Sequence, residues 1–186
     1  MEAIFNSFLL VAIAEMGDKT QLLAFILASR FKKPWPVFFG ILVATIANHL
    51  LAAWLGLKVS SLVSPNILRI GLALTFFAFA IWVLIPDKVD DVEKPYRFGP
   101  FVTTVLVFFV AEMGDKTQLA TVALAARYQN LWLVTIGTTL GMMLSNGAAV
   151  FFGDKIAQKV SMVWMHRIAA LLFVAFGVWA LLAIGD

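Results

Sequence analysis

Long apolar stretches dominate the chain and leave it little choice of fold. Six of them stand out among the 186 residues, at 4–29, 35–57, 67–86, 100–126, 131–153 and 163–184. A membrane-spanning helix needs roughly 20 predominantly apolar residues, and each stretch meets that length. The connections between them are short and contain prolines and charged residues, which are typical of loops between helices. The pattern predicts an all-α membrane protein with six transmembrane helices.

The composition excludes several other classes of protein. Only 13% of the residues are charged, against about a quarter in soluble domains. Cysteine is absent, which rules out thiolate metal ligands, disulfides and cysteine nucleophiles. The N-terminal residues 1–5 contain no basic residue, so we expect a first helix and not a removable signal peptide. The six apolar stretches leave too few residues for a soluble catalytic domain.

The charges in the loops predict an orientation in the membrane. Alternation of six spans puts one set of loops, rich in lysine and arginine, on one side, and a poorer set on the other side with both termini. The rich side receives Arg30, Lys32, Lys33, Lys88, Lys94, Arg97, Lys155, Lys159 and Arg167, and the poor side receives Lys58, Arg69 and Arg127. Basic loops stay in the cytoplasm, so both termini are expected to face outward. The same loops explain the high sequence pI of about 9.3, and we expect no nucleic-acid partner.

The chain contains an internal repeat. The eight residues from Glu15 to Leu22, EMGDKTQL, return unchanged from Glu112 to Leu119, 97 residues later. We expect one three-helix repeat in 1–86, an acidic cytoplasmic linker loop in 87–99 and a second three-helix repeat in 100–186. Because three spans is an odd number, the second repeat enters the membrane from the opposite side. Such inverted-topology repeats are typical of transporters that bind their substrate near the midplane.

The motif places acidic groups in the middle of an apolar stretch. Placing one charged side chain near the bilayer centre costs about 2.5–3.5 kcal/mol, so these groups indicate a function. If the helix is continuous, positions three apart share a face, and the acids form a stripe with Gln21 in one copy and Gln118 in the other. Carboxylate and amide oxygens are the ligands that hard divalent cations prefer. The candidate metal ligands are Glu15, Asp18, Glu112 and Asp115, with Gln21 and Gln118 as additional candidates.

The lysines, glycines and threonines of the motif are expected to support the acids. Lys19 and Lys116 are expected to compensate the charge of nearby carboxylates. Gly17 and Gly114 permit either close helix packing or a local break in the helix. The hydroxyls of Thr20 and Thr117 are additional candidate ligands, although a hydrogen bond to their own helix backbone is the alternative we favour.

Polar residues also occur in the middle of the second span of each repeat. Asn48, His49, Ser145 and Asn146 are further candidate ligands, with hydrogen bonding between helices as the alternative. His49 is a candidate proton site, because histidine changes its charge near neutral pH. Four carboxylates and two lysines leave two excess negative charges, which one divalent cation or two protons neutralise. This count suggests exchange of metal for protons.

The doubled Glu-x-Gly-Asp-Lys-Thr motif resembles the signature of a family of small cation exchangers. That family includes bacterial manganese exporters and Golgi Mn²⁺/Ca²⁺ transporters, and it is distantly related to the Ca²⁺/cation antiporters. The resemblance covers nearly the whole chain and implies export of a metal from the cytoplasm, coupled to protons, with the motif acids as ligands. We therefore expect a Mn²⁺ exporter in a bacterial inner membrane, with a Ca²⁺/H⁺ antiporter that uses the same site as the alternative.

Two other classes of function compete with transport. A membrane-embedded hydrolase would need different roles for its acidic groups, whereas the two motifs here are identical. A structural subunit would use the motifs as buried salt bridges, but it would not need four carboxylates against two lysines. We expect no enzymatic activity and no bound cofactor, the metal ion being the transported substrate. The sequence leaves open whether the protein forms a homo-oligomer.

Overall fold

The computed structural model describes residues 1–85, 98–156 and 162–182. Eight helices make up the regular structure of these residues. In chain order they are α1 (Glu2–Ala14), α2 (Lys19–Phe31), α3 (Pro34–Leu62), α4 (Pro65–Trp82), α5 (Pro100–Glu112), α6 (Lys116–Tyr128), α7 (Leu131–Ile156) and α8 (Met162–Leu182). The predicted all-α class is confirmed for this part of the chain. The predicted linker loop lies almost wholly outside the described residues.

The internal repeat of the sequence is visible in the helices. Helices α1–α4 come from the first half of the chain and α5–α8 from the second. The starts of α2, α3 and α4 and those of α6, α7 and α8 are separated by the same 97 residues as the motifs. Each helix of the first half therefore has a counterpart in the second half.

The stretches 4–29 and 100–126, which carry the motifs, each form two helices, so the continuous helix assumed for the stripe of acids is not present. The backbone breaks at Gly17, with φ of 86°, and at Gly114, with φ of 76°. Glycine adopts this left-handed region without the strain that a Cβ would cause. Asp18 and Asp115 then take extended conformations and cap α2 and α6. Each of the resulting helices has 13 residues and rises only about 20 Å.

Three of the helices are long and apolar enough to cross a membrane. They are α3, α4 and the Leu131–Gly153 part of α7. Helices α1 and α5 and the segment His166–Leu182 of α8 are apolar but shorter. Large apolar side chains such as Leu62, Leu74 and Leu171 are more than 60% exposed. A surface of this kind is suited to contact with lipid.

The two halves interlock across their centre. Helix α1 packs on α7 of the other half, and α5 packs on α3 in the equivalent way. Glycines allow these close approaches: a Cβ on Gly40 would lie 2.9 Å from the carbonyl oxygen of Phe101, and one on Gly141 would lie 2.6 Å from that of Phe8. The interlocking brings the ends of α1 and α5 toward each other, which positions the two motifs.

A second contact between the halves joins α4 to α8. It is built from aromatic rings, with Phe76 and Phe79 against Phe173 and Phe176 at centroid distances of 5.7–6.4 Å. These rings belong to a core that also contains Leu10 and Leu124. The apolar layer supports the discontinuous helices from one side.

Candidate metal site

The candidate site lies where the two helix breaks meet. Glu15 follows the end of α1, Glu112 is the last residue of α5, and the two aspartates begin α2 and α6. All four carboxylates are buried, with Glu15 and Glu112 at most 1% exposed and Asp18 and Asp115 3% exposed. The two apolar halves thus enclose four acidic side chains that are far apart in the sequence.

Three of the four carboxylates form a close group. One oxygen from each of Glu15, Glu112 and Asp115 lies within 4.8 Å of the other two. Oxygens on opposite sides of a Ca²⁺ ion are about 4.6–5.2 Å apart, so three oxygens at this spacing can share one cation. The group combines one acid from the first half with two from the second.

The fourth carboxylate, Asp18, forms an ion pair with Lys116 that is almost completely shielded from solvent, both side chains being 1% exposed. The reciprocal pair joins Lys19 to Asp115, with Nζ 3.6 Å from Oδ1 and with Lys19 29% exposed. Each lysine therefore contacts the aspartate of the other motif. The expected role of the lysines in compensating charge fits this arrangement, and the sequence did not show that the pairs would cross between the halves.

The motif threonines contact the glutamates. Thr20 donates a hydrogen bond to Oε2 of Glu15 over 2.8 Å, and the equivalent contact of Thr117 with Oε2 of Glu112 is 3.5 Å long. We favoured hydrogen bonds from these hydroxyls to their own helix backbone, but in the described structure they contact the glutamates instead. The reason is the helix break, which turns the start of α2 and α6 back toward the preceding glutamate. Because each hydroxyl donates a hydrogen bond to Oε2, it helps to orient the carboxylate.

The motif glutamines do not continue a stripe of acids, because the helix that would carry such a stripe is broken. Oε1 of Gln21 accepts a hydrogen bond from the backbone N–H of Gly17 over 2.9 Å. Oε1 of Gln118 accepts one from the backbone N–H of Gly114 over 2.6 Å. The amide oxygens are therefore used to hold the breaks. Gln21 also donates to the backbone oxygen and to Oγ of Ser145, at 3.2 and 3.1 Å. The glutamines shape the site from outside the group of three acids.

The polar residues of the long central helices connect to the breaks in different ways. Asn48 donates to the backbone oxygen of Phe109 over 3.0 Å and accepts from Gln118 over 3.4 Å. Asn146 donates to the Met142 sulfur over 2.8 Å. His49 is buried, and neither of its ring nitrogens has a hydrogen-bond partner among the described residues. None of these three residues belongs to the group of three acids.

Ser145 is one of the polar residues that the sequence places in the middle of the second span of each repeat. Its hydroxyl donates to the backbone oxygen of Glu15 over 3.0 Å and accepts from Gln21, so it fixes the first break to α7. The repeat in the sequence points to this role, since Ser145 lies 97 residues after Asn48. Asn48 makes hydrogen bonds on both sides of the second break, to Phe109 and Gln118.

The group of acids has unused capacity for a cation. Oε1 of Glu15, Oε1 of Glu112 and Oδ2 of Asp115 are buried and accept no hydrogen bond from the part of the chain that the structure describes. Buried carboxylates without a compensating partner are unfavourable. A divalent cation or protons would relieve the repulsion between them, and carboxylate oxygens are suitable ligands for hard cations.

Comparisons with known proteins agree with this chemistry. A family described as "Divalent cation/proton antiporter GDT1" matches residues 3–91 and 100–185. The chain is 48% identical over 174 residues to a Vibrio cholerae protein named "Putative manganese exporter", covering 93% of this chain and 87% of that protein. It is 31% identical over 199 residues to a GDT1-like protein of Synechocystis, with 96% of each chain covered.

More distant similarity extends to plants. The GDT1-like protein 3 of Arabidopsis thaliana is 28% identical over 205 residues, which are 95% of this chain and 69% of that protein. No solved structure matches the chain. The match over both halves, together with the level of identity to the bacterial proteins, shows that this chain belongs to the GDT1 family of divalent cation/proton antiporters.

Proposed function

We propose that this protein exports Mn²⁺ from the cytoplasm in exchange for protons, through a midplane site that both motifs build. The observation that carries the proposal is the group of three buried carboxylates, Glu15, Glu112 and Asp115, drawn from both halves of the chain. Because the group lies at two helix breaks between interlocked halves, a movement of one half against the other can change which side reaches it.

Manganese is the favoured ion on the basis of one relative. The Vibrio cholerae protein, 48% identical, carries manganese in its name. Mn²⁺ and Ca²⁺ both accept carboxylate oxygens, so the ligand types agree with either ion. A Ca²⁺/H⁺ antiporter with the same site is therefore the second candidate.

Exchange for protons follows from the charges around the site. Four carboxylates and two lysines carry a net charge of −2 when all of them are ionised, and this charge is enclosed in an apolar surrounding. A site without metal would take up protons to reduce that repulsion. The description of the family as a cation/proton antiporter supports this step.

The proposed topology has six crossings. Helices α1 and α2 together cross once, as do α5 and α6, while α3, α4, α7 and α8 each cross alone. The halves 1–86 and 100–186 then form an inverted repeat around the linker loop 87–99. The lysines and arginines near the end of α2 and in the linker loop orient both termini outward.

Flux into proteoliposomes tests the proposal. We expect Mn²⁺ uptake that requires a pH gradient and that is lost in Glu112→Gln, because this substitution removes one of the three grouped carboxylates. Glu2→Gln, which alters an exposed acid at the start of α1, serves as the matched control and should transport normally.

Three results would contradict parts of this assignment. Gradient-driven Ca²⁺ flux without Mn²⁺ flux would favour the second candidate. Mn²⁺ flux that does not respond to pH would remove the proton coupling. If folded Glu112→Gln protein transports as well as the wild type, the three acids are not the site.

A further inference from the structure

The two halves of the molecule are not packed identically. Helix α6 packs extensively against α3, whereas its counterpart α2 makes a smaller contact with α7. A cavity of about 450 Å³ lies between α2 and the end of α7. We call this space the α2–α7 cleft, and its walls include Phe25, Ala28, Ser29 and Gly153.

The residues that line the cleft are the counterparts of residues that are in contact in the other half. At the offset of 97, Phe25, Ala28 and Ser29 correspond to Val122, Ala125 and Ala126, and Gly153 corresponds to Gly56. A Cβ on Gly56 would lie 2.9 Å from the Cβ of Ala125 and 3.0 Å from the amide nitrogen of Ala126. Helix α6 therefore rests directly on Gly56.

Among the described residues, the equivalent contact is absent at Gly153, where the three nearest atoms to an added Cβ belong to the Phe25 ring, including Cε2 at 2.8 Å and Cγ at 3.0 Å. Side-chain exposure follows the same asymmetry. Ala28 is 9% exposed and Ala125 is fully buried. A phenyl ring thus occupies the place that a helix backbone takes in the other half.

The far end of α6 is held to its surroundings. The amide of Asn6 donates to the Tyr128 hydroxyl over 2.7 Å, and the Arg127 guanidinium lies 4.4 Å from the centroid of the Trp179 ring. The lysines of the site share the asymmetry, since Lys116 is 1% exposed and Lys19 is 29% exposed. Helix α6 is therefore packed against α3 at Gly56, whereas α2 leaves a cleft at Gly153. A cavity of about 410 Å³ also borders α6, but it lies on the side of α4 and the end of α3.

We propose that the α2–α7 cleft is the route by which the cation reaches the site, and that the route closes when α2 packs on Gly153 as α6 packs on Gly56. This inference rests on the proposed function and assigns its gate. The cleft lies on the face that carries Lys32, the face that the proposed orientation places in the cytoplasm. Closure requires the Phe25 ring to leave Gly153, and the release of α6 from Gly56 would then open the opposite face.

Thiol labelling tests the asymmetry directly, because the chain contains no cysteine. Ala28→Cys and Ala125→Cys are a matched pair of single-cysteine variants at equivalent positions. In metal-free protein in detergent, we expect a small charged methanethiosulfonate to modify Ala28→Cys at least about tenfold faster, a ratio that corresponds to ~1.4 kcal/mol. Equal rates, or a faster reaction of Ala125→Cys, would overturn the inference.

A second pair of variants tests the closure. Gly153→Ala places a methyl group where α2 must approach, so in the Ala28→Cys background the thiol should stay reactive when Mn²⁺ is added, and transport should slow while Mn²⁺ binding persists. Phe25→Val, which installs the smaller residue of the other half, should lower the reactivity of the same thiol. Gly71→Ala is the control, since no atom lies within 4 Å of its added Cβ.

The outcomes separate the gate from the transport function. Equal labelling of the matched pair with intact Mn²⁺ flux overturns the gate alone. Unequal labelling without flux of any divalent cation overturns the proposed function, and the proposed route with it. Wild-type transport by Gly153→Ala would also contradict the gate.

Discussion

At the scale of single residues, identical motifs have acquired different environments. Asp115 belongs to the group of three carboxylates, while its counterpart Asp18 is paired with Lys116 in a space that solvent does not reach. The Lys19–Asp115 pair is longer and partly exposed. A cation that binds Asp115 therefore has to compete with a weaker, more hydrated lysine contact than it would at Asp18.

The buried pair should matter strongly for stability. Lys116→Met removes the cation that Asp18 contacts, and breaking a buried ion pair by removing one partner typically costs about 3–5 kcal/mol. We expect a loss of this size in the free energy of unfolding, measured by titration with SDS. Lys19→Met should cost less, because Lys19 is partly exposed.

A double substitution checks the cause of that loss. Asp18→Asn with Lys116→Met removes both charges, so most of the lost stability should return. If the double variant is as unstable as Lys116→Met alone, the loss comes from packing of the lysine side chain and not from an uncompensated charge.

At the scale of the helices, the break in each motif was only one of two readings of the sequence. Glycine between two acids is compatible with close packing or with a left-handed backbone, and the sequence alone does not choose between them. The crossed pairing of lysines and aspartates was not predictable either, since it depends on how α1–α4 lie against α5–α8. What the sequence did predict is the correspondence at an offset of 97, and it holds for the helix starts, the breaks and the glycines.

The break at Gly114 can be tested without a steric clash. A Cβ on Gly114 would meet no atom within 4 Å, but its φ of 76° is unfavourable for other residues. An alanine in the left-handed region costs about 1–2 kcal/mol, so Gly114→Ala should favour a continuous helix and displace Asp115. We expect lower stability and strongly reduced flux.

The control for this prediction is again a glycine in open space. Gly71 lies within α4, where alanine stabilises a helix by roughly 0.5–1 kcal/mol relative to glycine. Gly71→Ala should leave flux unchanged and raise the unfolding free energy slightly. Normal flux in Gly114→Ala would show that the left-handed turn is not needed for the site.

At the scale of the whole molecule, an apolar shell surrounds an acidic centre, and this makes any net charge at the centre costly. Helices α4 and α8 and the interlocked pairs α1–α7 and α3–α5 surround the carboxylates and their few polar partners with largely apolar side chains. Moving a net charge through such an interior is costly. A carrier with a site charge of −2 avoids most of that cost if one divalent cation or two protons always accompany the site as it changes sides.

Electroneutral exchange of one Mn²⁺ for two protons is therefore expected. In proteoliposomes with K⁺ and valinomycin, an imposed membrane potential should leave the initial rate of Mn²⁺ uptake unchanged at constant pH on both sides. A pH gradient at zero potential should drive accumulation until the concentration ratio of Mn²⁺ equals the square of the proton concentration ratio, because two protons move for each cation. A rate that rises steeply with potential would mean that the site crosses with a net charge, because one buried group carries a proton more or a proton fewer than the site charge of −2 assumes. Comparing wild type with Lys19→Met would then identify the partly exposed lysine as that group or exclude it.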